Sequence, residues 1–323
     1  MTPFERALRE RIASSGPITV EAYMEACNAY YYATRDPLGV TGDFTTAPEV
    51  SQMFGEMVGA ALADCWARAG RPAGAVYAEL GPGRGTLASD ALRVMRAAGF
   101  AGEAHLVETS PVLRSLQAKA VPDAQWHDTI DDLPDAPLLL VANEFFDALP
   151  VRQLADGVER RVMVAAGGLA FDRDGAIVEV SPARDEAAAA VARKLAANGG
   201  AAIVVDYGHA KTAPGDTLQA VRGHRFAPLL ANPGEQDLTA HVDFEALASA
   251  AGAARATAVV TQGGWLRRLG IEARAEALIK ANPDKSTEVH AALERLIDGA
   301  QMGDLFKVMA IHSAGWPAPA GFA

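Results

Sequence analysis

The sequence is poor in cysteine, in basic charge and in long apolar runs. Its 323 residues include only Cys27 and Cys65, which lie 38 positions apart with no CxxC pair, and this argues against a disulfide framework or a zinc knuckle. The 29 Lys and Arg residues are outnumbered by 40 Asp and Glu, and a net charge of −11 does not suit a protein that grips phosphate backbones. No apolar run approaches the roughly 18 residues that a membrane span requires. We therefore expect no metal site, no nucleic-acid partner and no membrane span.

The N-terminal residues do not resemble a targeting segment. They contain no unbroken apolar stretch of the signal-peptide kind, and Glu5 and Glu10 argue against a transit peptide, which is poor in acidic residues. Phe4, Leu8 and Ile12 recur every four residues, which predicts an amphipathic helix. Half of the chain is apolar and 21% is charged, a composition that excludes a disordered or fibrous protein. We predict a cytoplasmic globular protein.

From about residue 75 the sequence alternates between short apolar runs and helix-prone stretches. Near-continuous apolar strands separated by helices indicate a parallel sheet that is covered on both faces. The pattern predicts an open α/β sheet, with strands at 75–80, 104–107, 138–142, 201–205, 256–261 and 305–311.

Three segments depart from this alternation. Residues 1–70 are mostly helix-prone, and we predict a helical N-terminal extension or lid ahead of a catalytic domain at 71–323. Residues 151–182 alternate with period two between Asp-Gly and Gly-Gly turns, which predicts an antiparallel β insertion. Residues 271–301 form a second insertion, helical and interrupted at Asn282-Pro283.

A glycine-rich turn follows the first predicted strand. Gly81, Gly83 and Gly85 are spaced GxGxG, and Glu79 precedes them by two positions. Such a turn between a strand and a helix lets a ligand approach the backbone near helix-terminal N–H groups. Glu108 ends the second predicted strand, 23 residues after Gly85, where an acidic side chain can accept hydrogen bonds from both hydroxyls of a ribose.

Two functions compete for this turn. A dinucleotide oxidoreductase would use it to hold a pyrophosphate, whereas a class I methyltransferase uses an E/D-x-G-x-G-x-G turn to admit the amino-acid end of S-adenosylmethionine (SAM). Glu79 and the GxGxG spacing favour the methyltransferase. A merely structural tight turn is a third interpretation, and Gly85 in particular could serve only helix packing. Glu79, Gly81, Gly83, Gly85 and Glu108 are our candidate cofactor-binding residues.

The strand at 138–142 runs into Asn143, Glu144, Phe145, Phe146 and Asp147. In an open parallel sheet the carboxyl ends of the strands line the ligand crevice. A carboxylate there suits a guanidinium substrate, because the planar fork matches bidentate geometry. Glu144 is therefore the first catalytic candidate and Asp147 the second, with Asn143 bordering both cofactor and substrate. In the structural interpretation Asp147 caps the next turn, and for the two phenylalanines core packing and pocket wall are equally plausible.

Three further residues are weaker candidates. Asp43 and Thr46 lie in a turn-rich stretch before a helix, from which either could close over the ligand; a simple helix start is the alternative. Asp206 follows the valine-rich strand at 201–205 and is a candidate to act on the substrate.

Seven segments together resemble the MidA family, which includes the mitochondrial complex I assembly factor that is a protein arginine methyltransferase, and many bacterial relatives. In chain order they are GDFTTAPEVSQMFGE, ELGPGRGTL, VETSPVLR, NEFFDALPVRQ, DYGH, DLTAHVDF and GDLFKVM. The resemblance covers roughly residues 15–312. NEFFDALP and GDFTTAPEVSQMFGE are far more specific than the glycine turn.

The resemblance implies a class I, Rossmann-like methyltransferase sheet and SAM as the cofactor. Carried over by motif, Gly81, Gly83 and Glu108 would bind cofactor, while Asp43, Asn143 and Glu144 would border cofactor and substrate. From the mitochondrial branch it implies symmetric dimethylation of an arginine on a respiratory-complex subunit.

The chain departs from the family pattern in GDFTTAPEV, where we expect GDF-I/V-T-S-P-E-I/V, and the absence of a mitochondrial targeting segment suggests a bacterial protein. A methyltransferase acting on a small molecule and a non-catalytic SAM-binding assembly factor remain alternatives. The motifs do not specify the oligomeric state.

Overall fold

The structure is a computed structural model that describes residues 1–36, 39, 42, 43 and 45–322. Residues 37, 38, 40, 41 and 44 of the predicted turn-rich stretch, with residue 323, lie outside the described residues. The N-terminal part is helical, as the sequence predicts, with one short strand. Its elements are α1 (Pro3–Ser15), β1 (Ile18–Thr19), α2 (Val20–Thr34), α3 (Ala47–Val50) and α4 (Gln52–Arg68).

Strands and helices alternate from residue 76 onward. The first half of this region contains β2 (Val76–Leu80), α5 (Thr86–Ala97), β3 (Ala104–Val107), α6 (Pro111–Ala120), β4 (Gln125–His127) and β5 (Leu138–Asn143). Five short strands follow, namely β6 (Arg152–Ala155), β7 (Val158–Glu159), β8 (Arg161–Ala165), β9 (Gly168–Phe171) and β10 (Ile177–Val180).

The second half begins with a long helix and the longest strand. It contains α7 (Pro182–Asn198), β11 (Gly200–His209), β12 (Gln219–Arg222), β13 (Arg225–Ala227), β14 (Asp237–Thr239), β15 (Val242–Asp243), α8 (Phe244–Ala250), β16 (Arg255–Ala256), β17 (Val260–Thr261), α9 (Gln262–Arg268), α10 (Ile271–Ala281), a 3-10 turn (Pro283–Lys285), α11 (Ser286–Ile297), α12 (Met302–Leu305) and β18 (Phe306–His312).

The central sheet has the order β16-β18-β11-β5-β2-β3-β4, with β15 beside β11 and β17 beside β18. The strands from β11 to β4 are parallel, whereas β18 runs antiparallel to β11. Leu80 of β2 lies opposite Ala142 of β5, so the turn after β2 and the residues after β5 leave the sheet at the same edge. The predicted α/β sheet of class I, Rossmann-like type is confirmed.

Apolar layers cover both faces of this sheet. All residues of β2 and β5 are buried, which explains why their sequences are nearly continuous apolar runs. One face packs against α4 and α5, including Phe54 and Leu92, and the other packs against α7 and α8, including Val191 and Leu247. Each such side chain contributes about 1.5–3 kcal/mol by leaving water, so the strand ends that carry polar residues are held by a rigid scaffold.

The antiparallel prediction for 151–182 agrees with the strands observed there, but these strands belong to two sheets. β6 lies between β10 and β7, whereas β8 lies between β9 and the N-terminal strand β1. The helical prediction for 271–301 also agrees with α10 and α11, and the break falls at Pro283. The division of the chain into domains at residue 70 stays a prediction.

Two features were missed. β4 has only three residues, and β12, β13 and β14 form a small sheet of strands of three or four residues. Such short strands leave too little period-two pattern to be recognised. None of the helices in the described part of the chain is long and apolar enough to cross a membrane.

Candidate active site

A cavity of about 300 Å³ opens at the carboxyl edge of β2 and β5. The sheet side contributes the turn after β2, the residues after β3 and the loop after β5. The N-terminal part contributes one face of α2 and the start of α3. Seven of the predicted site residues line it, namely Thr46, Glu79, Gly81, Gly83, Glu108, Asn143 and Glu144.

The glycine turn forms one wall of the cavity. Gly81 has φ +60°, and a Cβ built there would lie 3.1 Å from Cδ2 of Phe145, so this position has little room for a side chain. Gly83 also has a left-handed backbone, with φ +54°. Gly85 is different, because it does not line the cavity. It is the N-cap of α5, and a Cβ there would contact Ala120 and Gln117. Its position matches the helix-packing interpretation.

Glu79 presents a buried carboxyl group to the cavity. Its side chain leaves β2 and its Oε2 accepts a hydrogen bond of 2.6 Å from the Tyr77 hydroxyl. Burial raises the pKa of Glu79 to about 8, although the bond from Tyr77 acts in the opposite direction. A cation that binds beside such a carboxyl group stabilises its ionised form.

Glu108 lies at the end of β3, as predicted. Its Oε1 accepts 2.8 Å from the Ser110 backbone N–H, and its Oε2 accepts 3.2 Å from Nε2 of Gln117. Burial raises its pKa, and these donors lower it. The bonds fix the carboxylate in orientation and leave its remaining lone pairs for a ligand.

Asn143 and Glu144 lie where the loop leaves β5. Asn143 Nδ2 donates to Glu144 Oε1 at 3.2 Å, and the Ala47 backbone N–H donates to the same oxygen at 3.4 Å. Asn143 Oδ1 is buried and has no hydrogen-bond partner among the described residues. A buried acceptor that lines a cavity and lacks a donor is suited to a ligand N–H or O–H.

Glu144 has an unusual backbone. Its φ is +51°, a left-handed conformation that costs a residue other than glycine about 1–3 kcal/mol. Burial raises the pKa of its carboxyl to about 8, and the charge of Asp147 raises it further. Strain and a perturbed carboxyl at one residue are typical of functional sites.

Helix α2 closes the opposite side of the cavity, a contribution that the sequence analysis missed. Asn28 donates from Nδ2 to the carbonyl oxygens of Ala148 and Leu238, and so joins α2 to the loop after β5. Tyr32 lines the cavity and donates to Asp237 Oδ1 at 2.7 Å. An asparagine on the buried face of an amphipathic helix was the available signal for Asn28.

The glycine turn is also tied to the N-terminal part. Arg84 Nε lies 2.9 Å from Asp36 Oδ2, and its Nη1 lies 3.5 Å from Glu49 Oε2. Thr86 donates to the other oxygen of Glu49 at 2.5 Å. Thr46 lines the cavity at the start of α3, whereas Asp43 lies outside the lining and accepts from the Tyr31 hydroxyl and the Gly223 N–H.

The structure does not bring Asp147 or Asp206 into the cavity lining. Both are buried: Asp147 is part of the loop after β5, whereas Asp206 lies behind this loop and accepts hydrogen bonds from the backbone N–H groups of Phe146 and Asp147. Asp206 thus faces protein backbone and not the crevice, because the strand that carries it is covered by this loop. Phe145 lines the cavity while Phe146 is core, so the two phenylalanines divide between the two roles.

A second cavity, of about 420 Å³, lies between β10 and α8. None of the predicted site residues is in its lining, which includes Glu179, Arg184 and His241. Among the described residues, no group of three or more His, Cys, Asp or Glu side chains is arranged to hold a metal ion.

Known proteins resemble this chain in sequence and in fold over most of its length. A family model described as "Putative S-adenosyl-L-methionine-dependent methyltransferase" matches residues 57–172 and 158–262. The Drosophila melanogaster "Protein arginine methyltransferase NDUFAF7 homolog, mitochondrial" is 35% identical over 95% of this chain and 84% of its own length. The human protein arginine methyltransferase NDUFAF7 is 32% identical over 96% of this chain and 83% of its own.

A crystal structure also matches nearly the whole chain. It is a Burkholderia thailandensis protein bound to S-adenosyl-homocysteine, with a TM-score of 0.87, 28% identity, and coverage of 98% of this chain and 93% of that one. The fold, the cavity at the carboxyl edge of the sheet and the family model therefore agree on S-adenosylmethionine as the cofactor.

Proposed function

The chain belongs to the MidA family of SAM-dependent methyltransferases, and on this basis we propose that it methylates a guanidinium nitrogen of arginine in a protein. The observation that carries the proposal is the half-buried carboxyl of Glu144, held in a left-handed backbone beside the unpartnered Oδ1 of Asn143. Together they offer adjacent acceptors to a planar cation with several N–H donors.

The cavity fits the cofactor by its own chemistry. Gly81 and Gly83 add no side chains to the wall formed by the turn after β2, and Glu108 offers an oriented carboxylate after β3, where a ribose would be held. Glu79 offers a carboxyl group next to the glycine turn for a positively charged group. When bound, SAM supplies a methyl group on a sulfonium, which is already electrophilic, so the protein need only orient the acceptor and take its proton.

Glu144 performs both tasks in the proposed mechanism. A guanidinium beside it favours the ionised carboxylate, which reverses the effect of burial on its pKa. The carboxylate then orients the target nitrogen and accepts the proton that this nitrogen loses as its bond to carbon forms. Asn143 Oδ1 accepts a second N–H and limits rotation of the guanidinium group.

The acceptor and the product are part of the same proposal. The mitochondrial relatives are named protein arginine methyltransferases, which supports a protein substrate, and the family resemblance supports symmetric dimethylation and a respiratory-complex subunit as the acceptor.

The test uses the 323-residue chain, methyl-labelled SAM and a lysate from its own source, with protein separated from small molecules afterwards. We expect label in a discrete protein band that is released on hydrolysis as symmetric dimethylarginine. Glu144→Gln should reduce transfer at least a thousandfold while SAM affinity stays within about threefold, because the amide cannot take the proton. Label only in small molecules, or SAM binding with no transfer in either fraction, would overturn the proposal in favour of a metabolite methyltransferase or an assembly factor.

A further inference from the structure

A buried carboxylate on β11 holds the backbone of the loop after β5. Asp206 is fully buried, and its Oδ2 accepts hydrogen bonds from the backbone N–H groups of Phe146 at 3.0 Å and Asp147 at 3.2 Å. Its Oδ1 accepts from the N–H of Tyr207 at 3.0 Å. The first residue of the loop is tied to the same strand, since the Glu144 N–H donates to the Val205 carbonyl at 2.9 Å.

A buried arginine holds the carbonyl groups of the same loop. Arg184 of α7 donates from Nε to the Phe146 oxygen at 2.7 Å and from Nη2 to the Asp147 oxygen at 3.0 Å. Its other bonds go to the carbonyl oxygens of His241, at 2.7 Å from Nη1, and Ala240, at 2.9 Å from Nη2. The guanidinium therefore joins two segments that are far apart in the chain.

Two buried ionic side chains are costly unless their hydrogen bonds are satisfied, and apolar residues of similar volume would often stabilise a fold equally well. Burial raises the pKa of Asp206, and the charges of Asp147 and Glu144 raise it further, while burial lowers the pKa of Arg184. Both ionic side chains are buried against the loop whose first residue, Glu144, has the left-handed backbone. Such strain persists only where the surrounding structure determines it.

We infer that Asp206 and Arg184 are positioning residues, which hold the loop at 144–147 so that the Glu144 carboxylate points into the cavity. Asp206 fixes the donors of the loop and Arg184 fixes its acceptors, so neither residue needs to touch cofactor or substrate. The inference rests on the proposed role of Glu144 and assigns Asp206 a different role from the direct action on substrate that its sequence position suggests.

Two conservative variants of the 323-residue chain test the inference. Asp206→Asn keeps the side-chain shape but replaces one acceptor oxygen by a donor, and Arg184→Lys keeps the charge but loses the planar fork. We expect kcat for methyl transfer to fall at least tenfold in both. The Kd for SAM should stay within about threefold, because the glycine turn and Glu108, which would hold the cofactor, lie on other strands.

Matched controls are Arg193→Lys, an exposed arginine on the same helix, and Asp243→Asn, which preserves a helix cap. Both should retain the wild-type kcat. Equal loss of SAM affinity and kcat in the two test variants would indicate a general structural role, and wild-type kcat in a folded variant would overturn the inference.

Amide hydrogen exchange in the wild-type protein tests the hydrogen bonds between the loop and Asp206 even if both variants fail to fold. The N–H groups of Phe146 and Asp147 should exchange slowly, because they donate to a buried carboxylate. Rapid exchange at both would overturn the inference. If the wild type transfers no methyl group, the proposed function fails, whereas slow exchange at these two amides would still support their hydrogen bonds to Asp206.

Discussion

Asn143 and Glu144 are neighbours in the chain, and their side chains are joined by a hydrogen bond of 3.2 Å from Nδ2 to Oε1. This bond uses the nitrogen end of the amide and leaves Oδ1 buried at the cavity without a donor in the described part of the structure. Two acceptors with different charge are thereby placed side by side. The arrangement suits a ligand that carries several N–H groups in one plane.

Removal of the Asn143 amide should lower kcat/KM for the acceptor and leave SAM binding unchanged. Asn143→Ala removes one hydrogen bond to the acceptor and the donor that orients Glu144, so kcat/KM for the acceptor should fall roughly ten- to a hundredfold. Kinetics with the labelled acceptor and calorimetry with SAM measure the two effects separately. Asn198→Ala, at the end of α7, is the control and should have no effect. An unchanged kcat/KM would remove Asn143 from the acceptor site.

The glycine turn should tolerate no side chain at Gly83. Gly83 lines the cavity, so valine there would add a side chain at the cavity wall and would adopt an unfavourable left-handed backbone, and SAM affinity should fall at least about a hundredfold. Gly74→Val separates the two effects, because Gly74 has φ +74° and a Cβ there meets nothing within 4 Å. That control should lose stability but retain SAM binding. Normal SAM affinity in folded Gly83→Val would exclude this turn from the cofactor site.

The pH dependence of the reaction should report the pKa of Glu144. The proposed proton acceptor must be ionised, so kcat/KM for the acceptor should rise with pH and level off above about 8. Asp147 is the charged neighbour that raises this pKa most, and Asp147→Asn should therefore move the rising limb to lower pH. pH–rate profiles of both proteins provide the measurement. A limb that stays in place would show that a group other than Glu144 governs it.

The sheet and the cavity edge could be predicted because their signals are local. β2 and β5 are nearly continuous apolar runs that are followed by a glycine turn and by Asn143-Glu144, and a parallel sheet brings such ends together. The MidA motifs predicted the cofactor class in the same way. Each of these features depends on a few consecutive residues.

The residues that the sequence analysis missed depend on long-range contacts. Arg184 lies 37 positions from the Asp147 carbonyl that it holds, and Tyr32 lies 205 positions from Asp237. Nothing near either residue in the chain indicates its partner. Asp206 was found by its position after a strand, but its direction depends on the loop that folds over it.

Glu79 should make the ligand-free protein less stable as pH rises. Its carboxyl has a pKa of about 8 in the folded state, against about 4.3 in an unfolded chain, so the folded state binds the proton more tightly. The free energy of unfolding should therefore fall between about pH 4.5 and pH 8, by at most about 1.4 kcal/mol per pH unit from this group, and the effect should level off above pH 8. Other buried carboxyls with raised pKa, Asp237 among them, add to the same trend.

Glu79→Gln isolates the contribution of this one carboxyl. The variant keeps an acceptor for the Tyr77 hydroxyl but has no charge to bury, so it should be more stable than the wild type at pH 8, and this advantage should disappear toward pH 4.5. Denaturant unfolding at several pH values measures the difference, with the exposed Glu186→Gln as the control. A positively charged cofactor beside Glu79 should favour its ionised form, so saturating SAM should stabilise the wild type increasingly as pH rises from 6 to 8. A variant curve parallel to the wild-type curve would show that Glu79 is ionised in the folded protein throughout this range.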